Sequence, residues 1–373
     1  MRPAARARQR GAALLAAMLT VTLVATLSAA ALWQQWRSVE IEAAERGRVQ
    51  AAWVLIGALD WSRLILAEDR RASQIDSLSE PWALPLEEAR LSSFLSAEKN
   101  IASDSLEGLP DAFLSGRIED AQARLNVRNL VGSGKVDPAV RDRFAALFRL
   151  LNLPVQELDA MAQAMVRAVP ASVAAAPPPA GAASGTATGA AAGATTGTTT
   201  GGTASDPAAA AAAEAASLSS GISTGGEVPL VPRHVSQLVW LGLSPASAAA
   251  LAPYVTVLPR ATTLNLNTAS AEAISASLPT LGLAAARRMV EQRRIRPFNS
   301  LDDANRLIPE SESRFDNGAH GVASNYFEVE GRLRLDRTWV EEHSLLWRDA
   351  QGVTVLWRER GAGLSQQEVT QRR

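Results

Sequence analysis

The side chains best suited to catalysis are scarce in this sequence and widely spaced. The chain of 373 residues contains no cysteine, which excludes disulfides, thiolate nucleophiles and cysteine-ligated zinc. The three histidines, His234, His320 and His343, stand in no motif with a nucleophile or a second metal ligand. Because a catalytic triad can be assembled from distant residues, this pattern favours a non-enzymatic protein rather than proving one.

A repeated turn and a cluster of arginines suggest a second kind of chemistry, the binding of phosphate groups. The turn Leu241-Gly242-Leu243 recurs as Leu281-Gly282-Leu283, and each copy leads into an alanine-rich segment. An apolar-Gly-apolar turn between short helices is typical of a helix-hairpin-helix, in which glycine permits a left-handed corner. Paired hairpins can seat a DNA phosphate on their amides, and nearby arginines add positive charge. The arginines are Arg287, Arg288, Arg293, Arg294 and Arg296.

The alternative interpretation of this region is a structural helical module with solvated arginines. We favour it because no pattern of stacking aromatic residues accompanies the basic run. The formal net charge of the chain is −1, so there is also no general electrostatic attraction to nucleic acid or to acidic membranes.

The N-terminus predicts a membrane anchor. From Gly11 to Trp36 the chain carries no charged residue, and about 20 apolar residues suffice to cross a bilayer. Positive flanks stay in the cytoplasm, so the chain after Trp36 is expected on the far side of the membrane. The small pair Gly11-Ala12 offers a cleavage site before the apolar run, whereas an ordinary secretory signal is cut after it. The flanking arginines are Arg2, Arg6, Arg8 and Arg10.

Beyond the anchor the pattern stays helical. We predict one long rod that ends near Pro81, with Val54, Ala58, Trp61 and Ile65 forming an apolar stripe that packs on a soluble domain.

Further helices are predicted on either side of a low-complexity segment. Helices at 138–151 and 155–169 have apolar faces, and residues 170–227 contain almost only Ala, Gly, Thr, Ser and Pro. Such a segment lacks the apolar side chains that offset the entropy of ordering, so we predict a disordered linker. Helices at 271–278 and 284–294 follow, the first capped by Thr268 or Ser270.

Alternating residues predict the strands of an antiparallel sheet. The segment 112–131 looks like hairpin material, with a strand at 124–131, and three strands follow at 327–335, 338–347 and 353–358. The long helix has the apolar stripe to cover this sheet. Since the helical segments lie between the first strand and the others, we predict an α+β domain that carries an inserted all-α module.

Five short stretches of the sequence occur together in one known family. They are 10–15 (Arg-Gly-Ala-Ala-Leu-Leu), 120–130 (Asp-Ala-Gln-Ala-Arg-Leu-Asn-Val-Arg-Asn-Leu), 251–255 (Leu-Ala-Pro-Tyr-Val), 258–259 (Leu-Pro) and 264–269 (Leu-Asn-Leu-Asn-Thr-Ala). With them the chain resembles the K-type minor pseudopilins of the type II secretion system over most of its length outside the linker. The resemblance implies a pilin-like fold, in which a long N-terminal helix packs on an antiparallel sheet and a large helix-hairpin-helix-like domain is inserted.

The predicted division of the chain follows from the sequence pattern and this resemblance together. Residues 1–11 form a prepilin leader and 12–36 the transmembrane helix, which is also the filament stem. Residues 37–135 are the first part of the pilin-like domain, 136–322 the inserted α-domain with its linker at 170–227, and 323–373 the C-terminal strands.

The resemblance also implies how the N-terminus is processed. Prepilin peptidase would cut between Gly11 and Ala12 on the cytoplasmic side and methylate the new amino group of Ala12. The fifth mature residue is then Ala16, where most pseudopilins carry a glutamate that pairs with the amino terminus of the subunit ahead. A carboxylate in lipid is costly unless it is paired, so a subunit without it fits the position that has nothing ahead.

The implied function is that of a non-enzymatic assembly subunit at the tip of the pseudopilus. It would cap or initiate the filament, together with I-type and J-type minor pseudopilins, while folded proteins are exported across the outer membrane. The implied location is the inner membrane, with one pass, a cytoplasmic N-terminus and a periplasmic C-terminal domain. The alternative is a membrane-anchored helix-hairpin-helix protein of a DNA-uptake system, which would need neither a processed Gly-Ala junction nor an inserted pilin sheet.

Calcium is the one cofactor that the resemblance raises, because similar proteins can bind it through carboxylates of the α-domain. In this chain the corresponding region near Val169 is the Ala/Gly/Thr linker. Calcium takes six to eight oxygen ligands, and an acidic group further on can supply some of them. An ordinary solvated acidic loop explains that group better, and we assign no metal ligand. The group comprises Asp302, Asp303, Glu310, Glu312 and Asp316.

Overall fold

A computed structural model describes residues 10–91, 112–169, 229–309, 313–335 and 338–364. The predicted linker at 170–227 and the arginines that precede Arg10 lie outside the described residues. The chain divides into two compact units. We call residues 1–72, 81–119 and 328–373 the stem unit, and residues 73–80 and 120–327 the helical unit. The predicted insertion at 136–322 lies inside the helical unit, which begins earlier, at Asp120.

The helices and strands are numbered in chain order. The helices are α1 (Arg10–Ala72), α2 (Pro138–Leu150), α3 (Val155–Ala168), α4 (Pro245–Leu251), α5 (Ala271–Ser277), α6 (Leu283–Ile295) and α7 (Leu301–Asn305). The strands are β1 (Leu86–Arg90), β2 (Ala112–Asp120), β3 (Leu125–Asn126), β4 (Val131–Gly132), β5 (Lys135–Val136), β6 (Val255–Thr256), β7 (Leu264–Asn265), β8 (His320–Gly321), β9 (Tyr326–Leu335), β10 (Thr338–Arg348) and β11 (Val353–Leu364). Short 3-10 helices occupy Pro81–Ala83, Ala121–Ala123, Val127–Leu130 and Val235–Leu241.

Helix α1 is the 63-residue rod that the N-terminal pattern predicts, but it is shorter than expected. It stops at Ala72, not near Pro81, and Arg70 and Arg71 in its last turn suit the negative end of the helix dipole. The residues that follow form a loop, in which the hydroxyl of Ser73 donates to the carbonyl oxygen of Ile75 and accepts from the amide of the same residue. Such local bonding competes with helix continuation, which explains the earlier end.

The predicted apolar stripe of α1 is confirmed in part, because Val54 and Ala58 are partly buried and pack on the core of the stem unit. The most deeply buried side chains stand one position further along the helix. The side chains buried against the sheet are Ala51, Leu55, Leu59 and Leu66, each at most 5 % exposed. Within the predicted stripe, Trp61 is 44 % exposed. The sequence contains two neighbouring apolar stripes, and helical spacing alone does not decide which of them faces the sheet.

The sheet of the stem unit has five strands in the order β1-β2-β9-β10-β11. The three C-terminal strands are confirmed, the first two to within one residue at each end, whereas β11 continues six residues beyond the predicted end at 358. Strands β10 and β11 pair antiparallel from Thr338↔Leu364 to Arg348↔Val353. Their turn is set by Asp349, whose Oδ1 accepts the amides of Gln351 and Gly352 at 2.8 and 2.9 Å. Gly352 has φ +152°, a conformation that favours glycine.

The strand predicted at 124–131 is wrong, and β2 takes its place in the sheet. Within that range the paired strand residues are Leu125 and Asn126, which pair in parallel with Val255 and Thr256, and Val131, which begins the short strand β4. The Asn126 side chain then accepts the amide of Arg128 at 3.0 Å and caps a 3-10 helix, which ends the extended segment. Strand β1, at the far edge of the sheet, was also not expected.

The core of the helical unit confirms the predicted helices at 138–151 and 155–169. Asp137 caps α2 through the amides of Ala139 and Val140, as expected for Asp-Pro at a helix start. The apolar faces of α2 and α3 meet in one core whose members include Phe144, Phe148 and Met161, each at most 1 % exposed.

Two glycines of the five-stranded sheet in the stem unit provide a matched test of how its strands pack. A Cβ at Gly116 in β2 would lie 2.8 Å from the carbonyl oxygen of Glu330 in β9, whereas a Cβ at Gly361 in β11 would meet no atom of the described residues within 4 Å. We expect Gly116→Ala to lower the free energy of unfolding by about 1–3 kcal/mol, because the backbone of β2 or β9 must move to make room for the added methyl group. Gly361→Ala should leave it unchanged or slightly higher. Urea unfolding of residues 37–373 measures both, and equal effects would contradict the strand placement.

Candidate functional sites

The lower part of α1 has the properties of a membrane span. Within the described residues α1 is the helix long and apolar enough to cross a bilayer, with a mean hydropathy of 2.1 over its most apolar 18-residue window and none of that window buried. Trp33 and Trp36 follow this segment, and the guanidinium of Arg37 lies 5.5 Å from the ring centre of Trp33. Tryptophan beside a cation is typical of a membrane interface.

The predicted processing site lies at the beginning of this helix. Gly11 and Ala12 are in the first turn of α1, which begins at Arg10, and Ala16 is exposed one turn later. The predicted cleavage, the methylation and the role of the missing glutamate stay predictions, since they depend on a peptidase and on neighbouring subunits.

The two predicted hairpin turns differ in conformation. Gly242 has φ +98° after the 3-10 helix Val235–Leu241, so the expected left-handed corner is confirmed there. Gly282 has φ −66° and ψ +151°, so the prediction is wrong for the second turn. Gly282 is instead the extended N-cap of α6, a position that does not require glycine.

The arginine run lies on α6 and is only partly solvated. Arg293 is 7 % exposed, and its Nη1 donates to the backbone oxygen of Leu266 at 2.5 Å. Burial lowers the pKa of Arg293 to about 10, and the adjacent Arg294 adds to this effect. Arg294 pairs with Glu291 at 3.2 Å on the surface. One arginine therefore supports the fold of the module, which weakens the case for a phosphate-binding face.

Asparagine side chains connect the stretches that carry the family resemblance. Asn129 donates its amide hydrogen to Thr262 O at 2.7 Å and accepts Thr262 N–H at 3.0 Å. Asn267 makes the same pair of bonds with Phe298 at 2.9 and 2.8 Å. A carboxamide presents one donor and one acceptor, as a peptide group does, and so replaces a missing strand partner. Asn126, Asn265 and Asn305 make comparable bonds with distant backbone.

The centre of these connections is the carboxylate of Asp120, which is 4 % exposed. Its Oδ2 accepts from Thr268 Oγ1 and Ser324 Oγ, both at 2.6 Å, and from Asn265 Nδ2 at 2.9 Å. Its Oδ1 accepts the amide of Gln122 at 2.7 Å. Burial raises the pKa of Asp120, the hydrogen bonds oppose that shift, and the nearby carboxylate of Asp76 adds to it.

This network decides which of the two predicted residues, Thr268 or Ser270, is the N-cap of α5. Ser270 Oγ accepts the amide of Ala273 at 3.1 Å and is the N-cap. Thr268, the other candidate, uses its hydroxyl for Asp120.

The histidines make structural contacts and do not form a catalytic group. His320 is 2 % exposed, its Nδ1 accepts the amide of Asp316 at 3.3 Å, and its Nε2 lies 3.2 Å from Ser277 Oγ. Ser277 donates its own hydrogen to Ile274 O, so the proton of neutral His320 belongs on Nε2. His234 stands at the start of the 3-10 helix 235–241, and His343 pairs with Glu341 at 2.6 Å on the sheet surface.

Two described members of the acidic group, Asp303 and Asp316, use their carboxylates within the protein. Asp303 accepts the amide of Asn299 and pairs with Arg306 at 2.9 Å. Asp316 accepts the amides of Gly318 and Ala319. Glu310 and Glu312 lie outside the described residues. Since calcium needs six to eight oxygens, the described donors do not form a calcium site by themselves, and calcium binding stays an untested expectation.

Comparison with known proteins identifies the family. Two family models, both described as type II secretion system (T2SS), protein K, match residues 123–260 and 264–323, together more than half of the chain. The chain belongs to the type II secretion system protein K family. Both matched ranges lie in the helical unit and contain the asparagines that bond distant backbone.

Two relatives extend this likeness beyond the matched ranges. The type II secretion system protein K of Pseudomonas aeruginosa is 26 % identical over 367 residues, which cover 96 % of this chain and 95 % of that protein. A chain in the crystal structure of the GspK-GspI-GspJ complex from enterotoxigenic Escherichia coli has the same fold, with a TM-score of 0.55 and 17 % identity over 85 % of this chain and 98 % of that one. These findings support a minor pseudopilin of type II secretion over a DNA-uptake anchor, and a structural subunit over an enzyme.

Sequence reasoning missed the buried polar network of this protein K family member. The motifs were recognised as a family pattern, but the roles of Asp120, Asn265 and Ser324 were not expected. The available signal was the recurrence of asparagine between leucines, at 125–126 and 264–267, where polar residues interrupt an otherwise apolar stretch.

Removing the central carboxylate tests this network. We expect Asp120→Ala to lower the free energy of unfolding by about 3 kcal/mol or more, because buried donors on Asn265 and Gln122 lose their acceptor. The control is Asp349→Ala, which removes an aspartate that also accepts two amides but lies in a partly exposed turn, and it should cost about 1 kcal/mol or less. Chemical denaturation of residues 37–373 compares the two, and a similar small loss would contradict the central role of Asp120.

The buried imidazole of His320 makes stability depend on pH. Burial lowers its pKa from 6.5 to about 4, Arg143 adds to this shift, and Asp316 opposes it. The unfolded chain therefore takes up a proton below pH 6.5 while the folded chain does so only near pH 4. Stability should fall with decreasing pH in that window by up to about 1.4 kcal/mol per unit from this group. In His320→Gln that part of the slope should disappear, and an unchanged slope would rule out the buried neutral imidazole.

Proposed function

We propose that this chain is a non-enzymatic minor pseudopilin that occupies the tip of the pseudopilus, where it caps or initiates the filament. The observation that carries the proposal is the single continuous helix α1, which is apolar and exposed in its lower part and packed on a sheet in its upper part. Such a helix serves first as a membrane anchor and then as the stem of a filament subunit. Membership of the protein K family indicates that this filament is the pseudopilus of the type II secretion system.

The side chain at position 16 supports placement at the tip. Ala16 presents a methyl group on an exposed part of α1, where a pilin glutamate would present a carboxylate. In lipid that carboxylate is stabilised only by a paired cation, such as the amino terminus of the subunit ahead. A subunit without the carboxylate needs no subunit ahead of it, and this is the situation at the tip.

The orientation in the membrane follows from the charges on either side of the anchor. Arginines flank its N-terminal side, and positive flanks stay in the cytoplasm. We propose one pass through the inner membrane, with Arg10 on the cytoplasmic side and both compact units in the periplasm. Prepilin peptidase would then cut between Gly11 and Ala12 at the cytoplasmic face and methylate Ala12.

The mass of the mature chain tests the processing. We expect the protein from cells that contain a prepilin peptidase to begin at a methylated Ala12, because the small Gly11 side chain precedes the apolar run. Gly11→Leu should leave the leader attached, since a bulky side chain replaces hydrogen at the cut. Ala13→Val, a control at a position after the cut, should still be processed. Intact-mass spectrometry distinguishes these forms, and an intact Met1 start in the unaltered protein would overturn the proposal.

Partner binding tests the place in the filament. The relative from enterotoxigenic E. coli is part of a complex with GspI and GspJ, and we propose that this chain binds the I-type and J-type minor pseudopilins of its own system. We expect the full-length chain in detergent to co-purify with both partners in equal amounts. The major pseudopilin of the same system serves as the control and should not replace them. If neither partner co-purifies, the tip assignment loses its basis.

A further inference from the structure

A histidine and two glutamates meet on the face of the stem-unit sheet that lies opposite α1, which we call the outer face. The potential ligand atoms of Glu330 in β9 and of Glu341 and His343 in β10 all lie within 4.8 Å of one another. Glu341 Oε1 and His343 Nε2 are 2.6 Å apart. Carboxylate oxygens and an imidazole nitrogen are donors that bind Zn²⁺ in proteins.

The alternation of side chains along the strands places all three residues on the outer face. A Cβ at Gly331 in β9 would lie 3.2 Å from Leu55 Cδ2 in α1, so the adjacent Glu330 projects from the opposite side. Glu341 and His343 stand two residues apart in β10 and therefore share a face. Strands β9 and β10 are neighbours in the sheet. The regular strands thus bring the three side chains together.

Two arginines hold the glutamates in position. Arg117 Nη2 donates to Glu330 Oε2 at 2.6 Å, and Arg332 Nη2 donates to Glu341 Oε2 at 3.0 Å. Each arginine uses one carboxylate oxygen, so the other oxygen of each glutamate can serve as a metal ligand. Outer hydrogen bonds of this kind orient the ligands of metal sites.

The charges around this group favour a cation. Arg117 also pairs with Glu119 at 3.2 Å. Glu359 in β11 is the direct partner of His343 in the strand pairing, so its carboxylate lies on the same face. The carboxylates therefore exceed the guanidinium groups by two charges, which a divalent cation balances. The carboxylates are those of Glu119, Glu330, Glu341 and Glu359, and the guanidinium groups are those of Arg117 and Arg332.

The imidazole selects the kind of metal. Calcium and magnesium take oxygen ligands, whereas imidazole suits zinc and other transition metals. Bonds of about 2.0–2.2 Å place the ligands of tetrahedral zinc about 3.4 Å apart, so the three side chains need to approach one another by about 1.4 Å at most. The side chain of His343 is 50 % exposed and that of Glu341 is 14 % exposed, so an ion can enter from the solvent.

His343 is also the histidine that an ion reaches most easily. Of the three histidines in the chain, His320 is buried and His234 is half-buried, whereas His343 is exposed. The chain has no cysteine that would compete for zinc.

We propose that Glu330, Glu341 and His343 bind one Zn²⁺ ion on the outer face of the stem-unit sheet. One carboxylate oxygen of each glutamate and the Nε2 of the imidazole hold the ion, which replaces the hydrogen bond between Glu341 and His343. Three protein ligands leave the fourth tetrahedral position to water. The ion links β9 to β10, and it differs in both metal and place from the calcium expected of the α-domain.

Titration of the untagged full-length chain in detergent with Zn²⁺ tests the site. Isothermal titration calorimetry should show one saturable zinc site per chain, with binding of Ca²⁺ and Mg²⁺ at least about tenfold weaker. Glu330→Gln keeps the shape of the side chain but removes its charge, and it should weaken zinc binding at least about tenfold. The matched control is Glu88→Gln, because Glu88 also pairs with an arginine, Arg334, at 2.6 Å. It should change zinc affinity less than about twofold.

A histidine variant and a second measurement complete the test. His343→Gln should weaken zinc binding at least about tenfold and reduce the preference for zinc over magnesium. Zinc should raise the melting temperature of the unaltered chain and of Glu88→Gln, but not that of either ligand variant. Melting temperatures without zinc show that all variants fold. The absence of saturable zinc binding in the unaltered chain overturns the proposal, and so does equal zinc affinity of the unaltered chain and the two ligand variants.

Discussion

The hydrogen bonds of Asp120 are the constraint on which the helical unit depends. The carboxylate accepts from Thr268, Ser324, Asn265 and the amide of Gln122, so three distant stretches of chain meet at one side chain. Asn265 extends the network to the backbone oxygen of Asp76, and Asp76 Oδ2 accepts the amide of Ser324 at 2.7 Å. A buried carboxylate is tolerated only with such partners, so each of these stretches is needed to stabilise the others. The main segment of this unit runs from Asp120 to Phe327, so the network joins the beginning of that segment to Ser324 near its end and to Asp76 in the short segment 73–80.

The stem unit depends on a different principle, the use of one helix in two environments. The lower part of α1 is apolar on all sides, as a membrane span must be, while the upper part buries one face against the sheet and leaves Trp61 and Leu64 exposed.

The sequence predicts the elements of this protein better than it predicts their contacts. Periodicity located α1, α2, α3 and the C-terminal hairpins, because those patterns are long and regular. For α1 it located the packed side of the helix but not the most deeply buried residues, since Leu55 and Ala58 belong to neighbouring apolar stripes. The strand prediction failed at 124–131 because the side chain of Asn126 accepts the amide of Arg128 and starts a 3-10 helix, which an alternating sequence pattern does not reveal. The Asp120 network was not predicted because its bonded members are separated by up to 248 residues, beyond the reach of any local pattern. Recognition of the family succeeded because those same residues form recurrent short motifs.

The position of the chain in an assembled pseudopilus tests the account most directly. Gln292 is exposed on α6, and in a chain without cysteine Gln292→Cys can carry a single gold label. Electron microscopy of labelled pseudopili should show gold at one end of each filament, because a subunit without a carboxylate at position 16 terminates the row of paired amino termini. Labels distributed along the filament would show that the chain occupies internal positions and would contradict the account.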